Sequence, residues 1–216
     1  MFQFLKEIKQ AICEGVAEAR EELRQEEEER KKEEANRAAE GERIYSEPLS
    51  LEKLALAFSC PMREILIPGD SIRLFQFFAL SEGDQKVAGK MLKRDFEIQD
   101  RESLARSVLE FQELDEKNVF ICSILLYQIT AAVDLGYASF EDYREECGQL
   151  IRDIAESESV NSWEDFSKEF AAGDVINHAL GKKMISRASH KLLKGEDSPW
   201  TRYPWEKVEE FVKLAS

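Results

Sequence analysis

The sequence predicts an all-α protein, a compact multi-helix domain preceded by a long charged N-terminal helix. Three observations carry that expectation. Apolar residues recur at steps of three and four along most of the chain. No segment keeps a period-two alternation, and no Asn-Gly or Asp-Gly hairpin turn occurs. Ser and Asp residues suited to starting helices stand just before the apolar runs. The chain has 216 residues, of which 43% are apolar and 34% charged, with only five prolines. That is enough for one domain with a sizeable core and an appendage.

Residues 2 to about 40 read as one helix in two parts. Leu5, Ile8, Ile12, Val16, Ala19 and Leu23 form a narrow apolar stripe. Beyond Leu23 the stripe gives way to a run of Glu, Arg and Lys, in which Glu26/Arg30, Glu27/Lys31, Glu28/Lys32 and Glu33/Arg37 are acid-before-base pairs one turn apart. Such pairs support a helix without burial, so this part is expected to be a solvated arm covering residues 1–43. Gly41 is expected to end it, and Pro48 lies in the linker to a globular domain over 44–216.

Within that domain, Ser50 is positioned to cap a short helix carrying Leu51, Leu54, Leu56 and Phe58 to a stop at Pro61. After Pro68-Gly69, Asp70 or Ser71 opens an apolar helix containing Ile72 to Leu80, with Gly83 closing it. Val87, Met91 and Leu92 mark a further helix, ended by Phe96-Glu97-Ile98. Asp100 caps the next, whose inner face is Leu104, Val108, Leu109 and Phe111. A core helix follows from about Lys117 to Leu135, stopped at Gly136. Ser139-Phe140-Glu141-Asp142 and Ser162-Trp163-Glu164-Asp165 resemble capping boxes opening helices of about 16 and 10 residues. Val175 to Leu193 reads as another helix, and Tyr203-Pro204-Trp205 leads into a last one through Phe211.

Composition excludes several classes. The net charge is −14, with 30 Lys+Arg against 44 Asp+Glu, which argues against a nucleic-acid partner. The imbalance belongs to the domain: residues 95–174 hold 20 acids and 6 bases, whereas residues 1–43 hold 13 and 9. The opening Met1 to Glu7 has no uninterrupted apolar run and no small-residue cleavage site, so no signal peptide is expected. The uncharged stretch Val119 to Val133 is about 22 Å long as a helix, short of the ~30 Å needed to span a bilayer. Glu14, Glu18, Glu21 and Glu22 on the polar side of the N-terminal stripe argue against a membrane-surface helix. Cys13, Cys60, Cys122 and Cys147 follow neither a disulfide framework nor a C-x-x-C pattern, which fits reduced thiols in a cytoplasm.

Four stretches resemble a known family in order along the chain. Lys93-Arg94-Asp95-Phe96-Glu97-Ile98 with Asp100 to Leu104 is the first, and Asp134-Leu135-Gly136-Tyr137-Ala138-Ser139 the second. Ser162-Trp163-Glu164-Asp165-Phe166 with Gly173 is the third, and Asp197-Ser198-Pro199-Trp200 with Tyr203-Pro204-Trp205 the fourth. Together they resemble domain of unknown function 1266, a bacterial family, over about residues 90–205. The resemblance implies a fold and no established activity. This chain departs from the family pattern with Phe96-Glu97 where Trp-Gly is usual. It also has only Ser123 polar between Ile121 and Leu126, where the family carries an Asp and an Arg.

Candidate chemistry is sparse. Asp174 and His178 stand one turn apart, a spacing that can place two ligands on a metal, but a structural zinc takes four, so no metal site is expected. Glu145/Glu146 and Asp95/Glu97 are acid pairs of a kind that serves acid–base catalysis, and equally of a kind found on any charged surface. No local signature joins a Cys to His178 or His190, and neither a phosphate-binding loop nor a dinucleotide fingerprint occurs, so no cofactor is expected. Trp163, Trp200 and Trp205 with Tyr203 and Arg202 admit two readings: aromatic staples at helix starts, or the lining of a binding groove. Lys183, Arg187, Lys191 and Lys194 form a basic stripe without interleaved aromatics for base stacking. It is expected on an exposed face or against the acidic 95–174 surface.

The leading functional expectation is a non-catalytic, cytoplasmic protein-interaction module. Its partner is another protein, the chain itself included, engaged through residues 2–23. The alternative is an enzyme of unknown class, such as a hydrolase using an acidic cluster beside an aromatic groove.

Overall fold

The computed structural model describes residues 2–66, 71–114, 117–173 and 179–215, without the side chains of 2–20, 22, 66, 71, 72, 179, 180 and 215. Among the described residues every regular element is helical. The chain divides into two units, Met1–Glu47 and Pro48–Ser216.

The first unit is a single helix, α1 (Phe2–Ser46). Residues 23–39 are exposed throughout. They are held locally by Arg24 with Glu21 at 2.7 Å, Lys31 with Glu27 at 2.8 Å and Arg30 with Glu34 at 3.8 Å. Gly41 does not stop the helix as expected. Arg43 binds Glu40 at 2.7 Å and Glu47 at 3.3 Å, so ion pairs bridge the weak position, where glycine costs only about 1 kcal/mol.

The second unit is built around α6 (Val119–Asp134), capped by the Asn118 side chain, which accepts from the Ile121 N–H. From Leu125 to Asp134 every residue of α6 is buried, so this helix is covered on all sides rather than along one stripe. Around it pack α2 (Leu51–Leu66), α4 (Glu82–Phe96), α5 (Arg101–Gln112), α7 (Arg144–Ala155) and α8 (Trp163–Ala172). Next, α9 (Ala179–Lys194) lies against α2 and α8, with the single turn α10 (Pro199–Arg202) on α9 and α11 (Trp205–Ala215) on α7.

Three expected boundaries move. Pro61 does not end α2, which continues to Leu66. A mid-helix proline has no N–H for the carbonyl four residues back. Here that carbonyl, on Ala57, accepts the indole N–H of Trp200 at 2.9 Å, so the lost bond is replaced from α10. The expected helix from Asp70 to Leu80 shrinks to the turn α3 (Ser71–Leu74), because long side chains take its backbone groups. Arg63 donates to the Leu74 carbonyl, Arg73 donates to the Ala79 carbonyl, and the Phe78 N–H donates to Asp134 at 2.7 Å. Gly83 closes nothing; it lies in the first turn of α4, behind the Ser81 cap.

The expected starts at Asp100, Ser139 and Ser162 are all capped by those side chains. The Ser139 box opens a 3-10 turn (Phe140–Tyr143) that runs into α7. Two helix ends use the left-handed region. Gly136 ends α6 at φ +71°, with the Tyr137 N–H on the Ala132 carbonyl at 2.9 Å. Glu97 ends α4 at φ +58°. That is a conformation glycine adopts more readily than a residue with a side chain.

Candidate functional site

The five aromatic and basic residues singled out in the sequence come together, with Trp163 opening α8, Trp200 in α10 and Trp205 opening α11. Trp163 and Trp200 stack with centroids 5.2 Å apart and planes 6° apart. Trp205 meets Trp163 edge-on at 5.1 Å, and Phe58 of α2 and Phe166 of α8 close the cluster. Trp163 donates its indole N–H to the Tyr203 carbonyl at 2.7 Å. The three indoles and Tyr203 are buried, each no more than 5% exposed, so the cluster is core. Geometry of this kind clamps helix termini together, as the staple reading describes. Arg202 at its edge is half-buried and bonds Asp197 at 3.2 Å.

A second cluster is polar. Arg63 of α2 and Asp134 at the end of α6 form an ion pair at 2.7 Å, with both side chains no more than 3% exposed. The other Asp134 oxygen accepts the Phe78 N–H, and Arg63 also holds the Leu74 carbonyl. The pair therefore shapes the 75–80 loop, in which Phe78 takes φ +61° and is 68% exposed. A cavity of about 10 Å³ lies beside it, lined by Arg63, Tyr127, Asp84 and Asp134. One guanidinium nitrogen, Nη2 of Arg63, and the hydroxyl of Tyr127 are buried there without a protein partner. That is room and polarity for one bridging water. Burial pushes the Tyr127 hydroxyl upward, so it stays a donor.

A third arrangement is an open cleft of about 760 Å³ along α7, lined by Glu145, Glu146, Arg144, Arg152, Gln112 and Phe211 among others. It takes in the Glu145/Glu146 pair but none of the three tryptophans. Asp95 of the other acid pair is engaged by Arg94 at 2.6 Å, whose hydrogen bonds hold it below the ordinary aspartate range.

The fourth is the outer face of α9. Ile185, Ala188, Ser189 and Leu192 are buried, while Lys183, Met184, Arg187, His190 and Lys194 are exposed. Lys191 reaches inward to Glu64 of α2, whose carboxylate is 3% exposed. This member of the basic stripe thus meets a carboxylate of α2, outside the acidic 95–174 block.

Residues 122–205 match the family described as protein of unknown function (DUF1266). No curated protein and no solved structure matches this chain. The DUF1266 segment runs from α6 to the start of α11, so the Lys93 to Leu104 stretch lies outside it. Inside it, the resembled residues have visible structural work. Gly136 turns the chain out of α6, Ser162 and Ser198 cap helices, and the tryptophans clamp. At Gly173 an added Cβ would sit 2.5 Å from the Phe120 Cβ, so α8 reaches α6 only without a side chain there. Partners that complete the packing of the matched segment, Phe58, Ala57 and Arg63, come from α2 outside the match.

The thiols of Cys60, Cys122 and Cys147 are unpaired and buried, and desolvation pushes each up to about 12, so they stay protonated and poor nucleophiles at neutral pH. Asp174 and His178 lie outside the described residues. Among the described residues no cluster of three or more His, Cys, Asp or Glu is placed to hold a metal, and no helix is long and apolar enough to cross a membrane. The sequence reading missed Arg63, Asp134 and Phe78. A usable signal existed at Asp134, a lone charge in an otherwise apolar run that calls for a buried partner, whereas Arg63 is followed directly by Glu64 and carries no such signal.

Proposed function

We propose that the protein is a non-catalytic, cytoplasmic interaction module whose N-terminal helix docks on another protein, with a second copy of the chain as the first candidate. The observation carrying this reading is the exposure of residues 23–39 in a helix held by its own ion pairs. Such a segment needs no core, so it serves as a spacer for the stripe Leu5, Ile8, Ile12, Val16 and Ala19. Leu23, the last member of that stripe, is 65% exposed. Three reduced thiols support the cytoplasmic assignment. Burial of the aromatic cluster supports a framework role for it and leaves recognition to exposed surfaces.

Light scattering tests this on the full chain and on its Ile8→Glu/Ile12→Glu variant. A dimer mass for the natural sequence and a monomer mass for the variant is the expected result. Equal monomer masses for both remove self-association.

A further inference from the structure

We propose that the exposed face of α9 docks a stretch of carboxylates on another protein chain. Between Ala179 and Lys194 there are five Lys or Arg residues and no acid, in a chain whose net charge is −14. Lys183, Arg187 and Lys194 are exposed, and no carboxylate pairs with them among the described residues. They lie four and seven residues apart on one side of the helix, a row about 16 Å long at 1.5 Å per residue. His190 and Met184 are exposed on the same helix.

The contrast with α1 is what makes the row informative. In the charged stretch of α1, cations stand one turn from acids and pair with them. In α9 the like charges of Lys183 and Arg187 are one turn apart and repel, a local cost to the helix. The neighbouring acid Asp197 is taken by Arg202, and Glu64 by Lys191. No described carboxylate is paired with the outer row, which leaves Lys183, Arg187 and Lys194 open to complementary charge from outside the fold.

A peptide-scale acidic partner fits better than an extended polyanion. At physiological ionic strength a charge senses others within roughly 8–10 Å, so a short carboxylate cluster meets the row alone. Nucleic acid or a lipid surface extends further and meets the acidic remainder of the chain. The face also lacks aromatics for stacking on bases.

The test measures binding of fluorescent octaglutamate, oligothymidine and phosphatidylserine vesicles to the full chain at low ionic strength. Octaglutamate is expected to bind most tightly, weakening as salt rises. Lys183→Glu/Arg187→Glu should lower its affinity about tenfold or more, with melting unchanged because both side chains are exposed. Lys86→Glu/Lys90→Glu, the same change of net charge on the exposed side of α4, should leave specific docking at α9 within about twofold. The Ile8→Glu/Ile12→Glu variant should still bind, which separates this site from the α1 proposal. Failure of octaglutamate to bind, equal binding by the α9 variant, or equal losses from the α9 and α4 variants overturns the proposal. So does tighter binding of oligothymidine or vesicles through Lys183 and Arg187, or salt-sensitive self-association broken by the α9 variant without peptide binding.

Discussion

The middle of α1 and the body of α6 are helices held by opposite means. From Arg24 to Glu34 the first is almost wholly charged and exposed, and its support is a ladder of ion pairs within one turn. From Ile121 to Val133 the second has no charge and is mostly buried, and its support comes from the helices around it. Each exposed pair in a ladder contributes little and is screened by salt, whereas each fully buried aliphatic side chain contributes about 1.5–3 kcal/mol. One helix is a sum of weak local terms; the other exists because the domain does. Substitutions in the two regions should therefore differ in size and in their dependence on salt and pH.

The largest effect is expected at the buried pair beside α6. Asp134→Ala strips Arg63 and the Phe78 N–H of their acceptor, and should cost about 3–5 kcal/mol in denaturant unfolding. A loss below about 1 kcal/mol would show that the pair is not held dry. Gly173→Ala forces a methyl group against Phe120 and should cost about 1–3 kcal/mol, read as a lower melting temperature. Trp200→Phe leaves the Ala57 carbonyl without the indole donor that replaces the missing Pro61 N–H, for about 1–3 kcal/mol in urea unfolding. Glu97→Gly goes the other way. It relieves a left-handed side chain and should raise stability by about 0.5–1 kcal/mol, measurable as a higher urea midpoint.

The smallest effect belongs to α1 and sharpens the contrast. Lys31 holds Glu27 below the ordinary glutamate range, chiefly by a hydrogen bond, and is itself raised by it. A carboxylate with a lowered pKa stabilises fully above its ordinary range, and that support fades as the pH falls through its lowered value. Circular dichroism should show helix lost from α1 on acidification into that window and on adding molar salt, with salt leaving the melting of the domain in place. Equal salt sensitivity in both regions would erase the distinction.

How much of this was legible depends on range. The uncharged run of α6 and its stop at Gly136, the starts at Asp100, Ser139 and Ser162, and the solvated character of residues 23–39 are written in residues a few positions apart. Trp163, Trp200, Tyr203 and Trp205 were visible as a set, but their burial was not, because nothing local distinguishes a staple from the wall of a groove. Pro61 and Gly41 read as stops because the devices that carry the helices past them are side chains. For Pro61 that device is the Trp200 indole, 143 residues along the chain from the Ala57 carbonyl it serves. The 75–80 loop read as helix because its competitors, Arg63 and Asp134, lie on other elements.

The sequence by itself determined the all-α class, the arm and the order of the helices, since 3.6-residue periodicity, caps and i,i+4 charge pairs act within one turn of chain. Tertiary structure alone decided that the tryptophans are core and that Arg63 meets Asp134 across 71 residues. It also decided that Lys191 turns inward while Lys183 and Arg187 face out. Those outcomes rest on which groups are removed from water together, and burial is a property of the folded surface that no short window of sequence carries.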